Sequence, residues 1–121
     1  MKSMIRYLVP VMLAASVSCV SSTSANNRQL THVLLFKWKP EVTDARIMVL
    51  GDLWKDLNTE IGGFEQYELY RVQSGGYDHV VVLGFDSETA YHEYVNHERH
   101  LKIAELGKDM VDQFYSYSYW K

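Results

Sequence analysis

The sequence predicts a single α+β domain in which one antiparallel sheet carries helices on one face. Three observations lead there. Residues 31–38 (THVLLFKW) and 79–85 (HVVVLGF) are rich in the β-branched and aromatic side chains that favour strands. Between and after them, apolar residues recur at helical spacing. Residues 114–120 (FYSYSYW) then alternate tyrosine with serine, a strand period. The chain has 121 residues and is 47% hydrophobic, which suits one domain.

Part of the chain precedes that domain. Lys2 and Arg6 give a basic start, and residues 7–17 (YLVPVMLAASV) form an apolar run too short for a finished membrane helix. Small and polar residues follow as far as Ala25. This layout predicts a secretory signal peptide over residues 1–25, a short linker over 26–30 and the domain over 31–121. Cys19, the only cysteine, supplies an alternative: a lipoprotein signal ending before Cys19, with a lipid anchor on its thiol. The expected destination is periplasmic or secreted, with membrane attachment only if Cys19 is lipidated. A lone cysteine allows no internal disulfide, so the fold must rest on its core. Without Lys2 and Arg6, ten basic residues face fifteen acidic ones, a formal charge of −5. Such a balance offers no electrostatic footprint for nucleic acid.

In the first strand His32, Leu34, Phe36 and Trp38 share one face, and Val33 and Leu35 the other. Both faces are therefore largely apolar. Pro40 ends the strand, and Thr43 with Asp44 marks a helix start. Ile47, Leu50, Trp54, Leu57 and Ile61 form one apolar stripe, with Asp52, Lys55, Asp56 and Glu60 on the solvated side. The methionine (Met48) and tryptophan of this helix are expected in the core. Gly62-Gly63 stops it with a left-handed cap and turn. Residues 64–74 (FEQYELYRVQS) read as a partly exposed strand, and residues 74–78 (SGGYD) as a hairpin-like connection. In the third strand His79, Val81, Leu83 and Phe85 face one way, Val80 and Val82 the other. Ser87 caps a helix holding Tyr91, Tyr94 and Val95, and a second helical piece is expected from about His97 to Gln113. The Tyr/Ser segment closes the chain.

The order β-α-β-β-α-β is the ferredoxin-like arrangement. A sheet covered on one side should alternate apolar and polar residues. The first and third strands do not alternate, and no element remains to cover their second face. The simplest cover is a second copy of the chain, sheet against sheet, closing a dimeric α+β barrel.

The candidate chemistry centres on Tyr94-x-x-His97-x-x-His100. A neutral imidazole titrates near neutral pH, so His100 could act as a general base, with Tyr94 donating to a developing enolate or a bound carbonyl. Six residues span nearly two turns of an ideal helix, so a break near His97 would be needed to bring the pair together. His97 and His100 also have a spacing usable for metal, but no Cys or carboxylate pattern completes a site, and no metal is expected. His32 and His79 open two central strands and could orient a ligand or simply satisfy buried groups. His92 reads as surface. Tyr115, Tyr117, Tyr119 and Trp120 read as core or interface rather than as a ligand platform.

The run His32-Val33-Leu34-Leu35-Phe36-Lys37-Trp38-Lys39-Pro40 carries a resemblance, as do the Gly62-Gly63 turn, Gly76-Tyr77-Asp78-His79, Phe85 and the Tyr94–His100 segment. Together they resemble the stress-responsive A/B barrel domain (Dabb) family over residues 31–120. The resemblance implies a dimeric ferredoxin-like barrel. It also implies an activity, because a plant polyketide cyclase of the family closes a linear polyketide by an aldol step. The pocket histidines and tyrosine of that enzyme correspond by motif to His32, His79, Tyr94 and His100. The expected function is a small-molecule pocket for a hydrophobic carbonyl compound, with lyase- or cyclase-like acid–base chemistry by His100 and Tyr94, and His32 and His79 as ligand-binding groups. No organic cofactor is implied. Two alternatives stand beside it: a non-catalytic stress-related structural dimer, and a haem-binding or monooxygenase-like protein of the same fold.

Overall fold

The computed structural model describes residues 28–121, so the expected signal peptide and Cys19 lie outside the described residues. Seven elements follow in order: β1 (Leu30–Trp38), α1 (Asp44–Glu60), β2 (Phe64–Arg71), β3 (His79–Phe85), α2 (Glu88–Asn96), α3 (Glu98–Gly107) and β4 (Val111–Trp120). The strands form one sheet in the order β2-β3-β1-β4, each neighbouring pair antiparallel. This is the ferredoxin-like topology, with its second helical arm divided in two.

Local chemistry sets the element ends. The Thr43 hydroxyl accepts from the Arg46 N–H at the start of α1, and Asp44 lies in the first turn, where the helix dipole favours an acid. Ser87 caps α2 in the same way, accepting from the Ala90 N–H at 3.1 Å. After Ile61 the chain turns through Gly63 at φ 92°, where a side chain would run into Asp86 and Ala90. The expected helix from His97 to Gln113 proves shorter. α3 ends at Gly107, and β4 begins at Val111, which pairs with Trp38, while Gln113 pairs with Lys37. Backbone hydrogen bonding to β1 claims these residues despite their helical spacing. β2 likewise stops at Arg71, the last residue paired with β3, rather than continuing to Ser74.

One face of the sheet builds the core. Leu34, Phe36, Val81, Leu83 and Phe85 pack against Leu50, Trp54, Leu57, Ala90, Tyr94 and Ile103. Each large apolar side chain so buried stabilises the fold by about 1.5–3 kcal/mol. Met48 lies one position off the buried stripe of α1 and is 64% exposed, which corrects its expected place in the core.

The opposite face is also apolar. Val33 pairs with Val82 and Tyr117, and Leu35 with Val80 and Tyr115, so these side chains form one continuous surface. Tyr70, Tyr115, Tyr117 and Tyr119 on it are exposed in the single chain. Among the described residues, no helix is long and apolar enough to cross a membrane.

Candidate functional site

His97 ends α2 and starts α3, with an extended backbone at φ −72°, ψ 141°. Its Nδ1 accepts from the Arg99 backbone N–H at 3.1 Å, which leaves the proton on Nε2, 3.3 Å from Glu60 Oε1 at the end of α1. Arg99 pairs with the same carboxylate. His97 is thus a cap and a strap between helices, and Glu98 follows in the first turn, where an acid is favoured. The break has one large consequence. It folds the chain so that the Tyr94 and His100 rings lie with centroids 4.6 Å apart.

Both rings line a cavity of about 360 Å³ that also takes in His32. Leu34 and Phe36 from β1, Leu50 and Trp54 from α1 and Ile103 from α3 supply apolar walls. The His100 Nδ1–H donates to the Val95 carbonyl at 3.0 Å. A carbonyl only accepts, so this bond fixes the tautomer and leaves Nε2 with its lone pair. Burial holds the His100 pKa below its ordinary value, so the ring is neutral at pH 7.

The Tyr94 hydroxyl accepts from the Trp54 indole N–H at 3.1 Å. Burial raises its pKa well above the usual phenol value, so it stays protonated. Among the described residues, no acceptor is paired with that O–H, which leaves it free to donate to a guest. The pair therefore presents one acceptor and one donor at the same end of an apolar cavity.

His32 reaches the cavity from β1. Its Nδ1 lies 2.6 Å from Ser118 Oγ on β4, directly across the strand pair, and the edge of the Tyr91 ring packs on it at 5.4 Å. Burial lowers its pKa, and the neighbouring His100 lowers it further. Burial thus disfavours the charged form of both rings.

His79 does not join them. β1 and β3 are antiparallel, so their starts lie at opposite ends of the sheet: His32 sits opposite Leu83, and His79 opposite Phe36. Four rungs separate the two histidines, roughly 13 Å. The expectation that two strand starts converge on one cavity would suit parallel neighbours, and the register corrects it. His79 Nδ1 instead accepts from the Trp38 indole N–H at 2.9 Å, and Asp78 accepts from the Trp38 backbone N–H at 2.9 Å. There it satisfies a buried indole. His92 lies at the surface beside Glu88. Among the described residues, no three His, Cys, Asp or Glu side chains converge to hold a metal ion.

Three participants escaped the sequence reading: Ser118, the polar role of Trp54, and Lys108, which lines the cavity. Ser118 had a signal, since the Tyr/Ser alternation puts the serines on one face of β4. Trp54 had none, because its place in an apolar stripe says nothing of its N–H.

The buried histidines set a pH dependence. His32, His79 and His100 all have pKa values below 6.5, with burial the first cause in each. Their folded pKa values are lower than the unfolded ones, so the unfolded chain binds protons first as pH falls. The stability they contribute is complete above pH 6.5 and is lost progressively below it. The urea unfolding midpoint should therefore hold steady from about pH 8 to 7 and fall between about pH 6.5 and 5. Replacing His79 by glutamine, whose amide can still accept from Trp38, should flatten part of that fall. A midpoint that is constant or rises on acidification would rule the linkage out.

Residues 30–120 match the family model described as the Stress Responsive A/B Barrel Domain. No curated protein shows a sequence match to the chain. Among solved structures, a dimeric ferredoxin-like protein of unknown function from Thermobifida fusca superposes with a TM-score of 0.69 at 20% identity, over 78% of this chain and 92% of that one. A Dabb family protein with a ferredoxin-like fold from Mesorhizobium loti gives 0.64 at 20% identity, over 76% and 95%. A hydroxynitrile lyase from Passiflora edulis gives 0.70 at 11% identity, over 78% and 94%. At these identities the likeness establishes the fold.

Proposed function

Because the chain belongs to the stress-responsive A/B barrel domain family, we propose that its helix-side cavity binds a small hydrophobic carbonyl compound and supports lyase- or cyclase-type acid–base chemistry on it. The observation that carries this reading is the break at His97, which brings the Tyr94 and His100 rings together in one cavity, with His100 Nδ1 committed to Val95 and the Tyr94 hydroxyl accepting from Trp54. The fold neighbour described as a hydroxynitrile lyase is in keeping with it.

In the proposed reaction, His100 Nε2 removes a proton from the carbon next to the carbonyl. The electrons of the broken C–H bond pass into the carbonyl oxygen, and Tyr94 donates to the resulting enolate. The imidazolium then returns the proton to the carbon or oxygen that completes the reaction. His32, held by Ser118, orients the carbonyl. His97, a helix cap bonded to the Arg99 N–H, and His79, bonded to the Trp38 indole, take no part in the proposed reaction. The open tyrosine-rich face is proposed as the contact between two copies, in keeping with the Thermobifida fusca neighbour described as dimeric.

Proton exchange tests the reading without knowledge of the natural substrate. The wild-type protein should accelerate deuterium uptake next to the carbonyl of alkyl and aryl ketones in D₂O, followed by proton NMR. Exchange no faster than in buffer across such a series would defeat the catalytic reading.

A further inference from the structure

We infer that the far end of the cavity is an anion subsite built on Lys108, so that the ligand is an amphiphile with a carbonyl at one end and a negative group at the other. The inference rests on the reading of the cavity as a small-molecule site. α3 runs along the cavity from His100 to Lys108, eight residues at about 1.5 Å each, or about 12 Å. His32, Tyr94 and His100 occupy one end. At the other end, Phe114 lies opposite Phe36 and Val111 opposite Trp38, which places the start of β4 beside Lys108. Leu34, Leu50, Trp54 and Ile103 lie between.

The charges are lopsided. Among the described residues, Lys108 is the one lysine or arginine lining the cavity and no carboxylate lines it, although the chain has more acidic than basic residues. Lys108 competes for other partners in only a weak way. Its ammonium lies 3.5 Å from Glu105 in a pair whose side chains are both largely exposed. Solvent screens that pair. A carboxylate at the mouth would lie beside Lys108 and against Val111 and Phe114, where no acidic residue of the lining opposes it.

Length gives the size of the ligand. Three bonds of an extended chain advance about 3.3–3.6 Å, so ten bonds cover about 12 Å. A medium-chain carboxylate matches, and its thin body suits about 360 Å³ of cavity.

Calorimetric titration of the full chain with decanoate and with decan-1-ol tests the subsite. Decanoate should bind more tightly than the alcohol. Lys108→Gln should weaken decanoate about fivefold, the loss expected of one partly exposed charge pair, and leave decan-1-ol unchanged. Lys108→Glu should weaken decanoate further. Equal affinity for the two probes, equal loss of both in Lys108→Gln, or no binding of either overturns the inference. Ketone exchange reports separately on the catalytic reading. A Lys108-dependent preference for decanoate without exchange would leave the subsite standing and remove the chemistry, and exchange without the preference would do the reverse.

Discussion

Replacing His100 by alanine is expected to lower ketone exchange by about 10²–10⁴-fold, the range that a positioned general base contributes. The reason lies in the tautomer. With Nδ1–H committed to the Val95 carbonyl, Nε2 is the nitrogen left with a free lone pair, and the neutral ring has it available at pH 7. Because the His100 pKa lies below 6.5, the activity of the wild type should persist at pH 6.5 and fall only on further acidification. Added imidazole should restore part of the exchange in His100→Ala, which a purely structural histidine would not allow. Tyr94→Phe should also cost activity, by about 10²–10³-fold if the hydroxyl stabilises the enolate. It removes the acceptor of the Trp54 N–H as well, so it should lower stability by about 1–3 kcal/mol. Exchange within threefold of wild type in a folded His100→Ala protein would remove His100 from the mechanism.

The distance between what the sequence displays and what the fold does with it differs from residue to residue. β3 matches its sequence limits because β-branched residues are bounded by turn residues on both sides, and Ser87 caps α2 because its hydroxyl can reach a local N–H. Such features depend on neighbours in the chain. The Tyr94–His100 pairing was legible in part, since six residues on a continuous helix point apart and a break was required. Glu60, which straps His97 at that break, comes from another helix and leaves no mark in the motif. The misplacement of His79 is of another kind. Its apolar strand face follows from the alternation along β3, but the end of the sheet at which a strand starts depends on pairing direction, a property of two strands together. The same limit hid the early start of β4, where pairing with Trp38 decides what helical spacing cannot.

A single charge on the open sheet face should separate the proposed dimer. In the isolated chain Tyr117 is exposed, so Tyr117→Asp should leave the monomer fold intact. In a sheet-to-sheet dimer the same position would be closed over, and two-fold symmetry would place the substitution on both sides of one interface. Burying an unpaired carboxylate costs several kcal/mol, and the interface would carry that cost twice. Sedimentation velocity should therefore find wild type as a dimer and Tyr117→Asp as a monomer at the same concentration. The wild-type unfolding midpoint should rise with protein concentration, and that of the variant should not. The cavity is lined from one chain on the opposite face of the sheet, so a folded monomeric variant should retain decanoate binding. Ligand binding and association would then be separable properties of the two faces. A wild-type monomer, or a variant that remains dimeric, would show that the apolar face of β1, β3 and β4 has another purpose. The first strand adds to the expectation: Val33 and Leu35 point away from the core that Leu34 and Phe36 help build, onto the face where Tyr115, Tyr117 and Tyr119 are exposed.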